Sequence, residues 1–517
     1  MRLIFSLVII LSSFAGYAQV KQPNRYEVEL DLFDESFDVL PGEENGVLLY
    51  RAMDKFKSGH ELWQFIKLDT ALNEDWSEEY YIDLDYEYRG YDYHSGNFSL
   101  LFEIAEYNTH DLMLIQLNAT TGDTTYHRIK NLVSIELREF EMSETAAIIG
   151  GYYNNNPVVI HYNLETKKTR VLPGIFGNRT EIVQLKVEGD LIKMLVSTRT
   201  LDKQNTLALK TYSSDGEYLY NYVFEPKDET GLIFGRIANT GNDDNLVCGT
   251  YGMRRSDYSR GLFIARHREN EKQELGYFDY VDLENFFTYM RAKRQSRVSK
   301  RISRKKIKGK KARFNYRLLV HDVIENDGAY IMIGEAFYPK YENNSYYGNY
   351  GYYGGNYGRY QGNNYGISSF AGYKYTHAVI VGFDKKGEML WDNSFEIEDV
   401  QTFSLEQFVH ADVVNDKVIL LYLYNNEIRT KVISGGKVLE GKSFDNVKLS
   451  FGDDVANTNS YSDIGGLEKW YGHNFIAYGM QRIKNLRDSG VKLNRRVFYV
   501  NKIYYTNQDN PKTEQSE

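Results

Sequence analysis

Residues 436–443 read GKVLEGKS, which satisfies the GxxxxGK[ST] spacing of a phosphate-cradling loop. Such a loop needs its backbone N–H groups at the start of a helix. Here a GG turn precedes the segment and the strand-like run SFDNVKLSF continues it, so the match is expected to be accidental. His60-Glu61 opens an HExxH pattern, but Gln64 stands where the second zinc ligand belongs. No GxSxG occurs, which leaves a serine-hydrolase elbow without support. The ten His residues are scattered, and His321 and His410 fall at similar places in two related segments, which reflects a repeat rather than a shared metal. GDDVANTNSYSD, from Gly452, gathers Asp453, Asp454, Asn457, Asn459 and Asp463, oxygen donors of the kind calcium accepts. Their spacing matches no recognised calcium loop, so the segment is read as an ordinary polar loop with calcium as the minor alternative and no other cofactor. With 71 acidic residues, no catalytic carboxylate pair can be singled out.

Two runs stand apart from these. Residues 291–313, RAKRQSRVSKRISRKKIKGKKAR, hold 13 Lys or Arg in 23 positions and no acid. The whole chain has a formal charge of −9, so without this run the remainder carries −22. A charge run is most simply a solvated linker; the functional alternative is an arm that binds anions such as lipopolysaccharide phosphates, acidic glycans or an acidic partner. LENFFTYMRAKRQSRV is expected to start a helix at Leu283, with Phe286, Phe287 and Met290 toward the body. The second run, residues 346–366, contains eight Tyr, seven Gly and four Asn in 21 positions. It lacks the aliphatic side chains for a core. It is either an inert loop, since lengthening a loop costs only about 0.6 kcal/mol per doubling, or a surface whose rings stack on sugars or Arg.

These runs must hang on a scaffold, and the composition points to strands. Pro is scarce at 7, Tyr is abundant at 45, and the apolar segments are short and rich in Val, Ile, Tyr and Phe. Residues 1–18 (MRLIFSLVIILSSFAGYA) read as a secretory signal peptide, with cleavage expected after Ala18. Nothing later approaches the roughly 20 apolar residues of a membrane helix. Cys248 is the only cysteine, which rules out an internal disulfide.

Strongly apolar strands recur from Val47, Phe98, Ala146, Leu191, Leu246, Tyr330, Val418 and Phe475, at intervals of 51, 48, 45, 55, 84, 88 and 57 residues. A turn rich in Asn, Asp, Glu and Gly precedes most of them, and a second apolar strand and a more polar one follow. VHDVIENDGAYIMIGEAF and FVHADVVNDKVILLYLY even share wording. Four antiparallel strands per period of this length describe a β-propeller blade. The expected fold is therefore all-β: a single propeller of eight blades, with seven as the alternative and a two-domain arrangement as a weaker competitor, spanning residues 19–507. The last unit lacks an outer strand, and RYEVELDL from Arg25 is expected to supply it and close the ring. Residues 508–517 read as a disordered tail.

With its blade pattern and the signal-like ending GYAQ, the chain resembles secreted propeller-like repeat proteins of Bacteroidota. That resemblance implies the cell envelope, periplasmic or outer-membrane-associated, and carries over no catalytic residue. Asp69-Thr70-Ala71 and Asp123-Thr124-Thr125 match the O-glycosylation tripeptide of that phylum but are read as turn residues.

The long intervals of 84 and 88 each contain one of the two runs. The basic insertion (283–316) joins the fourth strand of one blade to the first of the next; the Tyr/Gly/Asn insertion (340–374) joins the second and third strands of that next blade. In an antiparallel blade these connections lie at the same end. The expected interaction surface is therefore one face of the ring, with Lys300, Arg301, Arg304, Lys305 and Lys306 from one insertion and Tyr347, Tyr350, Tyr353, Tyr357 and Tyr360 from the other. The expected role is a non-catalytic binding or scaffold protein contacting an envelope glycan, lipopolysaccharide or a protein. Nucleic acid is not expected in that compartment. The alternative is a propeller-fold hydrolase or lyase acting on glycans or peptides, with carboxylates converging in the channel.

Overall fold

A computed structural model describes residues 19–506 apart from 105–109, 131–133, 175–179, 228, 239–243, 269–270, 344–367, 458–464 and 489. The apolar strands are buried on both faces, which explains why they read as continuous rather than alternating runs. In Lys417–Tyr424, Val418, Leu420 and Tyr422 pack with blade 6, whereas Ile419, Leu421 and Leu423 pack with blade 8. Successive side chains of a strand point to opposite faces. Each such strand therefore glues its blade to both neighbours, and eight apolar clusters occupy the eight joints of the ring.

Eight antiparallel sheets form the ring, and the chain is an eight-bladed propeller as the repeat implied. Blades 1 to 7 span 38–83, 86–129, 136–171, 181–223, 230–279, 317–402 and 410–446. The turns use the expected residues. Asn415 and Asp416 (φ 49° and 60°) and Asn425 and Asn426 (φ 53° and 61°) supply the left-handed pairs of two-residue hairpins. The segment matching a phosphate loop lies on the outer strand Lys437–Asn446, with no helix after it.

Blade 8 takes strands from both ends of the chain. Gly466–Lys469 is innermost, Asn474–Asn485 and Asn494–Thr506 follow, and Gln19–Lys21 with Arg25–Leu30 pair along the outer edge of the last. The seam is fastened by buried charge. Arg25 binds Glu27 at 2.8 Å and Gln481 Oε1 at 2.8 Å, and Arg495 reaches both Glu27 (3.0 Å) and the buried carboxylate of Asp454. Burial alone would raise the Asp454 pKa; hydrogen bonds from Arg495 and Asn485 hold it below the usual carboxylate range.

Blade 6 carries the departures from the repeat. Its inner strand begins at Arg317, opposite Phe337. Its second and third strands, Ala329–Asn343 and Ser368–Phe383, run on past that point as a paired ribbon. The basic insertion enters before Arg317, so both excursions leave from one end of the ring. Tyr347, Tyr350, Tyr353, Tyr357 and Tyr360 lie outside the described residues, as do residues 1–18 and 507–517. Among the described residues no helix is long and apolar enough to cross a membrane.

Candidate functional site

The basic insertion is anchored before it becomes basic. The Asp392 carboxylate accepts the backbone N–H of Glu284 (2.9 Å) and of Asn285 (2.7 Å), and Thr288 Oγ1 lies 2.7 Å from Ser394 Oγ. These bonds hold residues 283–290 in successive turns, so the helix expected from Leu283 starts only at Ala292. Phe286, Phe287 and Met290 are buried as expected, within the cluster between blades 5 and 6. Tyr289 stacks on His377 at 3.6 Å, with Phe286 and Tyr316 edge-on. Desolvation lowers the His377 pKa to about 3, so that imidazole is neutral packing material. On the return, Lys311 bridges Asp279 and Asp282, and Tyr316 exchanges backbone hydrogen bonds with Ser259.

Between these anchors helix α1 runs Ala292–Ile307. Val298 and Ile302, one turn apart, rest on the same cluster, and Arg301 lies over the Phe314 ring at 5.0 Å. The rest of the helix faces solvent. Its cations are poorly arranged for helix stability: Arg297–Arg301, Lys300–Arg304 and Arg301–Lys305 are like-charge i,i+4 pairs, each costing about 0.2–0.5 kcal/mol. No acid sits in the first turn, where the helix dipole would favour one. Arg304, Lys305 and Lys306 in the last turn are better placed.

A groove of about 550 Å³ is lined solely by Arg297, Lys300, Arg301, Arg304, Lys305, Lys308 and Lys310. Among the described residues no carboxylate pairs with any of them. Four of the five cations expected from the sequence, Lys300, Arg301, Arg304 and Lys305, therefore meet in one concavity, while Lys306 is exposed outside it. Arg297, Lys308 and Lys310 join them. The 3.6-residue period would have found Arg297, one turn before Lys300 and Arg301; Lys308 and Lys310 depend on how the chain turns after the helix.

A second cleft of about 550 Å³ opens at the same end of the ring, over blades 4 to 6. Its rim carries Arg199 and Arg317 as donors and Glu181 and Asp257 as acceptors, and its floor includes Ile233, Leu318 and Phe337. Arg317 stacks on Tyr258 at 4.7 Å. Nothing in the sequence marks this cleft, because its walls come from three blades.

The central channel is lined with ionisable groups. Gln184 of blade 4 donates to Asp322 of blade 6 at 3.1 Å, and Arg236 of blade 5 lies 3.5 Å from the same carboxylate. Burial, with Asp92, Glu139 and Asp322 nearby, pushes Glu141 up to about 8. Burial raises Asp92 to about 6 although it accepts the Met142 N–H at 2.7 Å. Farther round, His410 and Glu468 line a cavity of about 370 Å³ together with Tyr478. Desolvation sets His410 down to about 3 and Glu468 up to about 7. His321 sits beside His410 but is tied 2.7 Å from the buried Glu335, whose carboxylate also accepts the Phe408 and Val409 N–H groups. Through those two N–H groups Glu335 ties blade 6 to the segment that leads into blade 7. Among the described residues no group of three or more His, Cys, Asp or Glu side chains could hold a metal. In the loop weighed for calcium, Asp454 is taken by Arg495 and Asp453 lies 3.4 Å from Arg487, while Asn459 and Asp463 lie outside the described residues.

No protein-family model and no curated protein matches the sequence. Solved structures match in overall form. Polysaccharide lyase Uly1 is 9% identical with a TM-score of 0.41, over 94% of this chain and 99% of that one. The β-propeller domain of the trilobed protease from Pyrococcus furiosus is 10% identical with a TM-score of 0.35, over 79% and 99%. Pyrococcus horikoshii acylaminoacyl peptidase is 10% identical at 0.35, over 78% of this chain and 51% of that one. Such low identities and scores support no argument about function.

Proposed function

We propose that the protein is a secreted, non-catalytic binding protein of the bacterial envelope, and that its ligand is a polyanion held at the propeller end that carries α1. One observation carries this reading: seven cations, five on α1 and two just past its end, line a single groove with no described carboxylate among them, and the like-charge i,i+4 pairs on the helix lower its stability. Unpaired charge that costs local stability is accounted for by a ligand that supplies the opposite sign. The remaining body, at a formal −22, repels a polyanion elsewhere and so orients it toward α1. Replacing residues 292–310 with a short Gly-Ser linker should abolish retention on anionic envelope material while the ring stays folded. Deleting 346–366 tests the second insertion in the same assay. Retention unchanged in both variants contradicts the reading.

The rival, a hydrolase or lyase, draws on the cavity holding His410, Glu468 and Tyr478, since perturbed acid and base groups in one concavity are a common mark of catalysis. It requires turnover of a glycan or peptide that Glu468→Gln abolishes without weakening binding at α1.

A further inference from the structure

We propose that the polyanion is an acidic glycan, and that the cleft over blades 4 to 6 receives a sugar unit of the chain whose anionic groups lie along α1. This rests on the anion-binding reading of α1 given above and adds the ligand class. The groove alone would accept any linear polyanion. The cleft is different in kind, because it pairs the donors Arg199 and Arg317 with the acceptors Glu181 and Asp257 over an apolar floor of Ile233, Leu318 and Phe337. A sugar ring presents hydroxyls that both donate and accept, together with apolar C–H faces, and it fits a cleft of about 550 Å³. A bare polyphosphate offers acceptors only, and Glu181 and Asp257 repel it.

The guanidinium donors are held ready. Arg317 lies over the Tyr258 ring, and Arg199 is steadied by its Nε donating to Asn205 Oδ1 at 3.1 Å; no described carboxylate pairs with either. The two concavities are also joined underneath. Leu318 of the cleft belongs to the buried cluster between blades 5 and 6, and Phe234 and Tyr316 of the cleft pack against it, as do Val298 and Ile302 of α1. Both concavities therefore rest on the same cluster between blades 5 and 6, at one end of the ring, where a single polymer chain would meet them together. A bilayer surface is less well matched, since Ile307 is the one large exposed apolar side chain of α1.

The test measures affinity of the whole protein for polygalacturonate, for inorganic polyphosphate of equal total charge and for a single-stranded oligonucleotide. Wild type should bind the glycan at least tenfold more tightly than either comparator. R199A/R317A, which truncates two rim side chains, should lower glycan affinity about tenfold and leave polyphosphate affinity within twofold. E181Q/D257N should weaken glycan binding several-fold and strengthen polyphosphate binding. Equal glycan affinity in wild type and both cleft variants overturns the cleft assignment while leaving the α1 reading intact. Tighter binding of polyphosphate or the oligonucleotide overturns the ligand class, as does binding of none of the three. K300E/R304E/K305E with unchanged affinity for every probe overturns the α1 reading itself.

Discussion

Charge is handled in opposite ways at the blade 8 seam and on α1. At the seam, Arg25, Glu27, Asp454 and Arg495 are withdrawn from water and each meets an opposite charge. In the channel, burial instead moves Glu141 and Glu468 toward their neutral forms. On α1 and the turn after it seven cations crowd one groove, exposed to water and without described carboxylates. Desolvated charge must be paired or neutralised because the fold cannot carry it otherwise. Solvated charge is under no such demand, so its crowding on α1 needs a cause outside the fold.

The contrast can be broken most forcefully at the seam. Asp454→Ala leaves Arg495 buried against only part of its partner set and should cost about 3–5 kcal/mol, read as a fall in thermal or urea stability. An unchanged midpoint would mean the seam charges are as dispensable as those of α1. Next comes the anchor: Phe286→Ala empties a fully buried site and should cost about 3–5 kcal/mol of docking. Limited proteolysis should then cut within 291–313 faster than anywhere in the ring. A smaller effect is expected from Glu141→Gln. The wild-type carboxyl keeps its proton in the fold up to about pH 8, whereas the unfolded chain loses it near the ordinary value of 4.5. Stability from this group is thus complete below about 4.5 and is lost as pH rises toward 8, because the unfolded state binds fewer protons there. The variant should raise the melting temperature at pH 8 and leave it nearly unchanged at pH 4. Smallest is K300Q/R304Q, which removes a like-charge pair and should stabilise the protein by about 0.2–0.5 kcal/mol. A clear destabilisation by that change would give the α1 cations a structural role.

The ring was legible in the sequence because blade strands obey local rules. Continuous apolar runs such as VILLYLY and turn pairs such as Asn415-Asp416 announce themselves within a few residues. The outer strand RYEVELDL could be matched to a blade that lacked one. Where the insertions emerge followed from counting strands alone. The start of α1 was not legible, since Phe286, Phe287 and Met290 have helical spacing, and only Asp392, some hundred residues away, holds them in turns instead. Nor was the cleft, where Arg199, Asp257 and Arg317 come together from three blades with no sequence pattern linking them.

The most direct test of the central claim is the salt dependence of polygalacturonate affinity for wild type and for K300E/R304E/K305E. Each basic residue near an anionic surface contributes about 1 kcal/mol, so losing three should cost about 3 kcal/mol, roughly a hundredfold in affinity at low salt. Wild-type affinity should fall steeply as salt rises, and the variant's slope should be much shallower. Equal affinities with equal slopes would contradict the account.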